Sequence, residues 1–251
     1  MNITIAGYGF VGMAHEAVLK EKFNVNIYDP YKGYNNIGSP ESVIVCVSTP
    51  PNADGSCNYN NVIDVIKLVS DDIPILIKST LSLEGWQDIK KQFPTHRLAF
   101  SPEFLRAANA VEDFLKTRHI YMGGDDVGYW HALFRVAFDD SAFTTEIATV
   151  EELILAKYFR NAFLATKVTF FNQMYDLCKA TGVSYDMVSH VVTTDRRIGN
   201  SHTKVTKERG FGGHCFPKDT AAIVKTAELV DVDLELINSS IKYNKRIRKQ
   251  T

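Results

Sequence analysis

Short apolar runs alternate with helix-like segments through the first half of the chain. The strand candidates are Ile3–Ala6, Val25–Tyr28, Val43–Val47, Ile75–Lys78, Leu98–Ser101 and Ile120–Met122. The helix-like segments between them lie near Gly12–Glu21, Asn61–Val69, Glu84–Gln92 and Tyr129–Ala137. Because this alternation is typical of a parallel sheet covered on both faces, it predicts an α/β domain over residues 1–147.

The connection between the second and third strand candidates is unusually short. Only Pro30 to Ser42 lie between them, too few residues for a helix, a further strand and their turns. We therefore expect a reduced crossover after the second strand, a smaller sheet, and a thinner wall beside any nucleotide bound there.

The pattern changes near Ile147, where we place the domain boundary. Thr149 and Glu152 have the spacing of a capping box, and nothing breaks a helix from there until Gly182, which fits its end. The apolar residues of this long helix surround its axis, so we expect it to be buried on most sides. Residues 148–251 are predicted to form an all-helical domain that ends in a helix over Asp233–Lys249.

Composition narrows the class of protein. The 251 residues carry 28 Lys and Arg against 29 Asp and Glu, which gives no electrostatic support for binding nucleic acid. No apolar run is long enough to span a membrane, and the N-terminus does not resemble a signal peptide. The four cysteines form no CxxC pair, so we expect a reduced, cytoplasmic protein with neither disulfides nor a metal site.

A glycine-rich turn follows the first strand and opens a helix. Gly7 permits a tight turn, Gly9 lets backbone amides approach a pyrophosphate, and Gly12 allows close packing of helix and strand. Asp29 ends the second strand, where its carboxylate can accept from ribose hydroxyls and would repel a 2′-phosphate. This order of elements predicts a Rossmann-like domain that binds NAD in preference to NADP.

Three glycines surround a single cysteine in Gly210–Asp219. Pro217 suits the first turn of a following helix, whose dipole would favour the Cys215 thiolate. Asp219 lies four residues further on, so it can share a face with the cysteine. A small buried cysteine in a glycine turn is the alternative, but the surroundings favour a nucleophile.

Lys157 and Asn161, also four residues apart, place an ammonium and an amide on one face of the long apolar helix. A buried ammonium is costly unless it is paired or used. The pattern alone leaves a snorkelling lysine with a packed amide and a functional pair equally open.

Taken together, these motifs resemble the UDP-glucose/GDP-mannose dehydrogenase family, and most closely its members that oxidise UDP-glucose. The matching stretches occur in the family's order: residues 7–12, 48–50 with 54–55, 78–80, 101–106, 157–165, 195–199 and 210–219. The resemblance implies an enzyme that oxidises the C6 primary alcohol of a nucleotide sugar twice, with two NAD, through a cysteine-bound thioester. It also implies a homodimer formed through the helical domain.

Residue by residue, the resemblance assigns roles. Cys215 matches the nucleophile that adds to the aldehyde, and Lys157 and Asn161 match the pair that stabilises the oxyanion. Asp219 and Thr80 match residues that hold a water. Glu103 matches the acid/base carboxylate of thioester hydrolysis, for which a raised pKa would help. A helix cap is the alternative role for Glu103 and Thr80.

The matched binding residues form two sets. The cofactor set is Gly7, Gly9, Phe10, Val11, Gly12, Asp29, Thr49, Pro50 and Thr80. The substrate set is Phe104, Leu105, Arg106, Lys157, Asn161, Arg197, Gly210, Phe211, Gly212 and Gly213. Arg197 matches an arginine that reaches the substrate from the neighbouring subunit; a solvated loop charge is its alternative.

The match fails in two places. Ala107-Ala108 stand where the family has Glu-Gly, so a second carboxylate is missing, and Glu112 and Asp113 are the candidates to replace it. The family also continues into a second Rossmann-like domain that supplies much of the uridine-diphosphate site. We expect a short form without it, whose terminal basic residues complement a helix end or replace lost phosphate contacts. These residues are Lys242, Lys245, Arg246, Arg248 and Lys249.

Two other functions remain open at this point. One is a single-step hydroxyacid or sugar-acid dehydrogenase of similar two-domain shape. The other is a catalytically weakened, NAD-binding dimer with a sensing or structural role.

Overall fold

A computed structural model describes residues 1–248, so the expected contribution of Lys249 lies outside the described residues. The chain forms two compact units, Met1–Lys157 and Tyr158–Thr251. This division falls ten residues after the boundary expected at Ile147, which stays a prediction. No helix within residues 1–248 is both long and apolar enough to cross a membrane.

The first unit is built on a seven-stranded sheet. Its strands are β1 (Asn2–Ala6), β2 (Asn24–Tyr28), β3 (Ser42–Val45), β4 (Ile75–Ile77), β5 (Leu98–Phe100), β6 (His119–Gly124) and β7 (Thr144–Ile147). They lie in the order β2-β1-β3-β4-β5-β6-β7, parallel except between β5 and β6. The predicted parallel α/β fold is confirmed.

The helices of this unit are α1 (Phe10–Leu19), α2 (Asn60–Ile66), α3 (Leu83–Gln92), α4 (Ala110–Leu115) and α5 (Val127–Ala137). The sequence did not predict α4, which has six residues and follows a 3₁₀ turn. The central strands are fully buried and apolar because both faces of the sheet are covered. The core includes Ile3, Ile5, Ile44, Leu76 and Ala99.

The reduced crossover after β2 is confirmed. Between β2 and β3 there is a three-residue 3₁₀ turn, Pro30–Lys32, and β2 lies at the edge of the sheet. The expectation of a smaller sheet was wrong, because β7 extends the opposite edge. That strand is short and mostly exposed, so its residues lack the apolar pattern by which the other strands were predicted.

The described residues of the second unit form helices and loops but no strand. The long helix α6 (Val150–Thr181) begins in the first unit and is followed by α7 (Tyr185–Thr193), α8 (Cys215–Glu228) and α9 (Glu235–Arg248). The capping box is confirmed: the Glu152 amide donates to the Thr149 hydroxyl at 3.2 Å, and the Thr149 amide donates to the Glu152 carboxylate at 2.8 Å. Gly182, with φ +72°, follows the last turn as predicted.

The prediction that α6 is buried on most sides was wrong. Phe159, Phe163, Phe170 and Leu177 are 46%, 68%, 59% and 66% exposed. Their spacings of four, seven and seven residues place them on one stripe of the helix. The residues of α6 that are buried include the aromatic Tyr158 and Phe171 beside smaller or polar ones such as Ala162, Ala165 and Asn172.

Candidate active site

Two glycines of the first turn are required by its geometry. Gly7 has φ +94°, and a Cβ there would lie 2.6 Å from the Cys46 carbonyl carbon. A Cβ on Gly12 would lie 2.1 Å from the Gly7 carbonyl oxygen. Larger residues at these two positions would therefore disturb the contact of β1 with α1.

Gly9 has a different reason to be glycine. A Cβ at this position would meet no protein atom within 4 Å, so the packing of the chain does not demand its absence. Gly9 is the residue before α1, and no side chain caps that helix end. The first amides of α1 are therefore available to an anion, and the bare backbone lets the anion approach. This arrangement fits the pyrophosphate of NAD.

Asp29 lies beside the same turn. Its Oδ2 accepts a hydrogen bond from the Tyr8 amide at 2.8 Å, and the Lys32 ammonium donates to the Tyr8 carbonyl at 2.5 Å. Asp29 is half-buried and lies directly after the last residue of β2, as the sequence predicted. Its position suits an acceptor for ribose hydroxyls beside a pyrophosphate on α1.

The other predicted cofactor residues occupy loops at the carboxyl ends of neighbouring strands. Phe10 and Val11 begin α1, while Thr49 and Pro50 follow β3 and Thr80 follows β4. Because β1, β3 and β4 are adjacent and parallel, these loops leave the same edge of the sheet. Crevices at the carboxyl ends of such strands are where open α/β sheets bind ligands.

A buried ion pair joins a residue that follows β4 to one that follows β5. The Lys78 ammonium is 3.3 Å from the Glu103 carboxylate, and the side chains are 3% and 10% exposed. Lys78 also donates to the Ser101 hydroxyl at 2.9 Å. Sequence reasoning included Lys78 in a motif but gave it no role; a lysine directly after a buried strand was the available signal.

Lys157 reaches the same loop. Its side chain is 8% exposed, and its ammonium donates to the Glu103 carbonyl at 3.0 Å. Glu103 in turn accepts the Phe104 and Leu105 amides on Oε1 at 2.8 and 3.2 Å. The structure thus brings Lys157, Phe104 and Leu105 together through hydrogen bonds to Glu103.

The structure does not give Glu103 the raised pKa that would help it in hydrolysis. Burial alone would raise it, but the nearby Lys78 and Lys157 ammonium groups and the Phe104 amide lower the pKa of Glu103 below its ordinary value. His15, fully buried on α1, lies near the same ion pair. Burial, followed by the Lys78 charge, lowers the pKa of His15 to about 4.

Glu112 and Asp113, the two candidates to replace the missing carboxylate, each form an ion pair with a basic residue close in sequence. The Arg106 guanidinium binds the Asp113 carboxylate at 2.9 Å and 2.5 Å. Glu112 pairs with Lys116. Both candidates to replace the carboxylate absent at Ala107 are therefore engaged in ion pairs on α4.

In the second unit, Cys215 is the first residue of α8 and is exposed. Asp219, one turn further along, is 1% exposed. Its Oδ2 accepts from the Asn161 amide at 2.5 Å, and its Oδ1 accepts from the Lys218 ammonium at 2.6 Å. The structure therefore brings together Asn161 and Asp219, which the sequence separates by 58 residues.

The glycine loop, Gly210–Gly213, leads into Cys215. Gly210 and Gly213 have φ +56° and +74°, conformations that favour glycine. Phe211 is buried, and the Arg248 guanidinium lies over Gly212, where a Cβ would be 2.9 Å from it. Of the basic residues near the C-terminus, Arg248 therefore contacts this loop.

Arg197 does not reach any other predicted site residue of its unit. Its side chain is 89% exposed and is held by Asp195, with the closest contact at 2.5 Å. Within residues 1–248, no three His, Cys, Asp or Glu side chains come together as a metal site.

Two domains of one family match the chain. The NAD binding domain of the UDP-glucose/GDP-mannose dehydrogenase family matches residues 31–133, and the central domain of that family matches residues 151–246.

Comparison of the chain with whole proteins agrees with the match to this family. The UDP-glucose 6-dehydrogenase of Rickettsia felis is 31% identical over 98% of this chain and 65% of its own length. That of Rickettsia prowazekii is 30% identical over 98% of this chain and 67% of its own length. The chain thus spans about two thirds of the length of the curated relatives it matches.

Solved structures share the fold. A UDP-glucose dehydrogenase from Pyrobaculum islandicum has a TM-score of 0.81 at 23% identity and matches 98% of this chain and 68% of its own. The 3-hydroxyisobutyrate dehydrogenase of Mycobacterium tuberculosis has a TM-score of 0.72 at 16% identity and matches 98% of this chain and 93% of its own.

Proposed function

Because this chain belongs to the UDP-glucose/GDP-mannose dehydrogenase family, we propose that it oxidises the C6 alcohol of a nucleotide sugar to a carboxylate. UDP-glucose is the proposed substrate and UDP-glucuronate the product. The observation that carries the proposal is the exposed Cys215 at the start of α8, one turn from a buried Asp219 bonded to Asn161.

The first unit is suited to hold the dinucleotide. Gly9 and the uncapped end of α1 accommodate the pyrophosphate, and Asp29 accepts from the ribose. When bound, NAD supplies the hydride acceptor for each of the two oxidations. Asp29 also disfavours a 2′-phosphate by charge repulsion, which supports NAD over NADP.

Cys215 performs the step that divides the two oxidations. Its thiolate adds to the aldehyde carbon, forming a C–S bond and leaving the former carbonyl oxygen as an alkoxide. Asn161 has a second amide hydrogen besides the one given to Asp219, and that hydrogen is available to the alkoxide. Lys157 is the second donor we assign. Donors of this kind typically contribute about 3 kcal/mol to stabilising such a charge.

Glu103 acts in thioester hydrolysis as a base. Its lowered pKa keeps the carboxylate ionised at neutral pH, so it can accept a proton from the attacking water, as a weaker base than a glutamate of ordinary pKa. The water oxygen then bonds to the thioester carbon, and the C–S bond breaks to return the Cys215 thiolate. The missing carboxylate at Ala107 leaves Glu103 to do this without a neighbouring acid.

We further propose that the protein is a homodimer formed through α6. Its exposed stripe of Phe159, Phe163, Phe170 and Leu177 is too apolar to be an ordinary solvated helix face. A second copy would cover this stripe and could bring its Arg197, which is free of its own unit's predicted site, toward the substrate.

The decisive experiment is to measure NADH release with UDP-glucose, GDP-mannose and UDP-N-acetylmannosamine. Two NADH per UDP-glucose are expected from the unmodified protein, and Cys215→Ser should stop at the aldehyde. One NADH per substrate, with no dependence on Cys215, would instead support a single-step dehydrogenase. Calorimetry that detects NAD but not UDP-glucose would support a sensing role.

A further inference from the structure

One residue of the last helix grips the backbone of the glycine loop. Asn244, on α9, accepts the Phe211 amide on Oδ1 at 2.7 Å and donates from Nδ2 to the Phe211 carbonyl at 3.0 Å. A single carboxamide therefore satisfies both polar backbone groups of a residue 33 positions earlier.

These hydrogen bonds are shielded from water. Asn244 is 7% exposed and Phe211 is 4% exposed. Because these groups are buried, water cannot readily replace Asn244 as their partner. A backbone group that loses its partner there is left unsatisfied. The approach is also close: a Cβ on Gly210 would lie 2.1 Å from the Asn244 Oδ1.

A second asparagine holds the start of the same segment. Asn172, on α6, is 1% exposed, and its Oδ1 accepts from the Gly210 amide at 3.0 Å and from the Arg209 Nε at 2.9 Å. Arg209 continues to Asp176 at 2.6 Å. Side chains from α6 and α9 thus hold residues 209–211. Asn172 binds Arg209 and Gly210, and Asn244 binds Phe211.

Little chain remains between this fixed segment and the nucleophile. Gly213 has φ +74°, the left-handed conformation that favours glycine, and a Cβ there would meet no protein atom within 4 Å. Cys215 begins α8 four residues after Phe211, so the place where Phe211 is held limits how the chain can enter this helix.

We propose that Asn244 is a positioning residue for Cys215: by holding the Phe211 backbone it sets the path of the glycine loop into α8. The proposal rests on the proposed function in that Cys215 is the group that attacks the aldehyde. Asn244 touches no reacting atom, and Cys215 reacts only in the aldehyde oxidation, so removal of Asn244 should slow the aldehyde oxidation more than the alcohol oxidation.

The test compares Asn244→Ala with a matched control on the same helix. Asn238→Ala is that control, since the Asn238 amide donates a long hydrogen bond to Asp233, at 3.4 Å, and not to the Phe211 backbone. Asn244→Asp adds an isosteric variant, which keeps an acceptor for the Phe211 amide and loses the donor to the Phe211 carbonyl. Hydrogen exchange of full-length protein and single-turnover rates of both oxidations are measured for each variant.

We expect Asn244→Ala to speed amide exchange in residues 209–214 at least tenfold, on the order of one lost hydrogen bond. The aldehyde oxidation should slow about tenfold more than the alcohol oxidation, so that aldehyde accumulates. Asn244→Asp should show the same selectivity, and Asn238→Ala should match the unmodified protein.

Unchanged exchange in the loop would overturn the proposal. Equal slowing of both oxidations, with faster exchange throughout the helical unit, would also overturn it, because it would show a purely structural role. Failure of the proposed function would look different: the unmodified protein would then release no NADH with any nucleotide sugar, whereas the loop exchange would still respond to Asn244→Ala.

Discussion

The Lys78 ammonium and the Glu103 carboxylate form an ion pair of 3.3 Å at the carboxyl ends of β4 and β5, almost completely removed from solvent. A buried pair of this kind is a poor source of net stability, but neither partner tolerates loss of the other. The pair therefore fixes the loop that carries Glu103 and, through the Glu103 carbonyl, the Lys157 ammonium.

Replacing Lys78 alone should be strongly destabilising. Lys78→Met leaves the Glu103 charge buried without its main partner, and we expect a loss of about 3–5 kcal/mol in the free energy of unfolding. Urea unfolding of the variant measures this loss.

The double variant Lys78→Met with Glu103→Gln supplies the control. Since it removes both charges, it should recover a large part of the stability lost by Lys78→Met. A double variant as unstable as the sum of the two single variants would show that the two charges are not coupled.

His15 should make stability depend on pH in mildly acidic solution. Its pKa is lowered to about 4 in the folded protein, whereas an unfolded histidine titrates near 6.5. Between these values the unfolded chain binds a proton that the folded protein does not, so stability decreases as the pH falls from 6.5 toward 4. Across the window the loss amounts to about 3 kcal/mol.

Unfolding of His15→Phe across the same pH range tests this. The phenyl ring keeps the stacking on Phe114, where the ring centroids are 4.2 Å apart, but it cannot titrate. Its stability should decline less steeply with falling pH than that of the unmodified protein. Parallel curves for His15→Phe and the unmodified protein would contradict the prediction.

Gly9 and Gly12 should respond differently to the same substitution. Gly9→Ala places a methyl group in open space, so the protein should fold with nearly unchanged stability and bind NAD at least tenfold more weakly, because the methyl group obstructs the pyrophosphate. Gly12→Ala collides with the Gly7 carbonyl and should lower the melting temperature.

Calorimetric titration with NAD and thermal unfolding together separate these effects. The prediction fails if Gly9→Ala binds NAD as tightly as the unmodified protein. It also fails if the two variants lose the same stability.

The exposed stripe on α6 should control association. Phe163→Glu places a charge at a position that is 68% exposed in the single chain, so a protein that is dimeric should become monomeric without loss of helix content. Light scattering coupled to gel filtration, with circular dichroism, measures both quantities. Leu68→Glu, at an isolated apolar position 50% exposed in the first unit, is the control. An unmodified protein that remains monomeric at micromolar concentration would contradict the proposed dimer.

The parts of the fold that were predictable are those with local signals. The buried strands show continuous apolar runs, and the Thr149–Glu152 capping box marks its helix end by two residues alone. β7 carries no such run because its residues are mostly exposed. The exposure of Phe163 could not be predicted from the sequence either. An apolar pattern indicates that a helix face is suited to burial, but it does not indicate whether the same chain or another chain buries that face.

Residues of the candidate site could be proposed from the sequence where the chemistry is concentrated in a short motif, as around Cys215 and Gly9. It was not predictable where a long-range contact sets the outcome. The pKa of Glu103 depends on Lys78, which lies 25 positions earlier, and the hold on Phe211 depends on Asn244. The pattern of residues along the chain does not indicate that Glu103 contacts Lys78 or that Phe211 contacts Asn244.

The hydrogen bond between the Tyr8 amide and Asp29 also constrains how the cofactor preference of this protein can evolve. The carboxylate that we propose disfavours a 2′-phosphate is the same group that accepts from the backbone of the glycine turn. Removing its charge by a substitution such as Asp29→Ala would relax the choice of dinucleotide and weaken the turn together. A shift of preference would therefore pass through residues such as serine, whose hydroxyl keeps an acceptor for Tyr8 while carrying no charge.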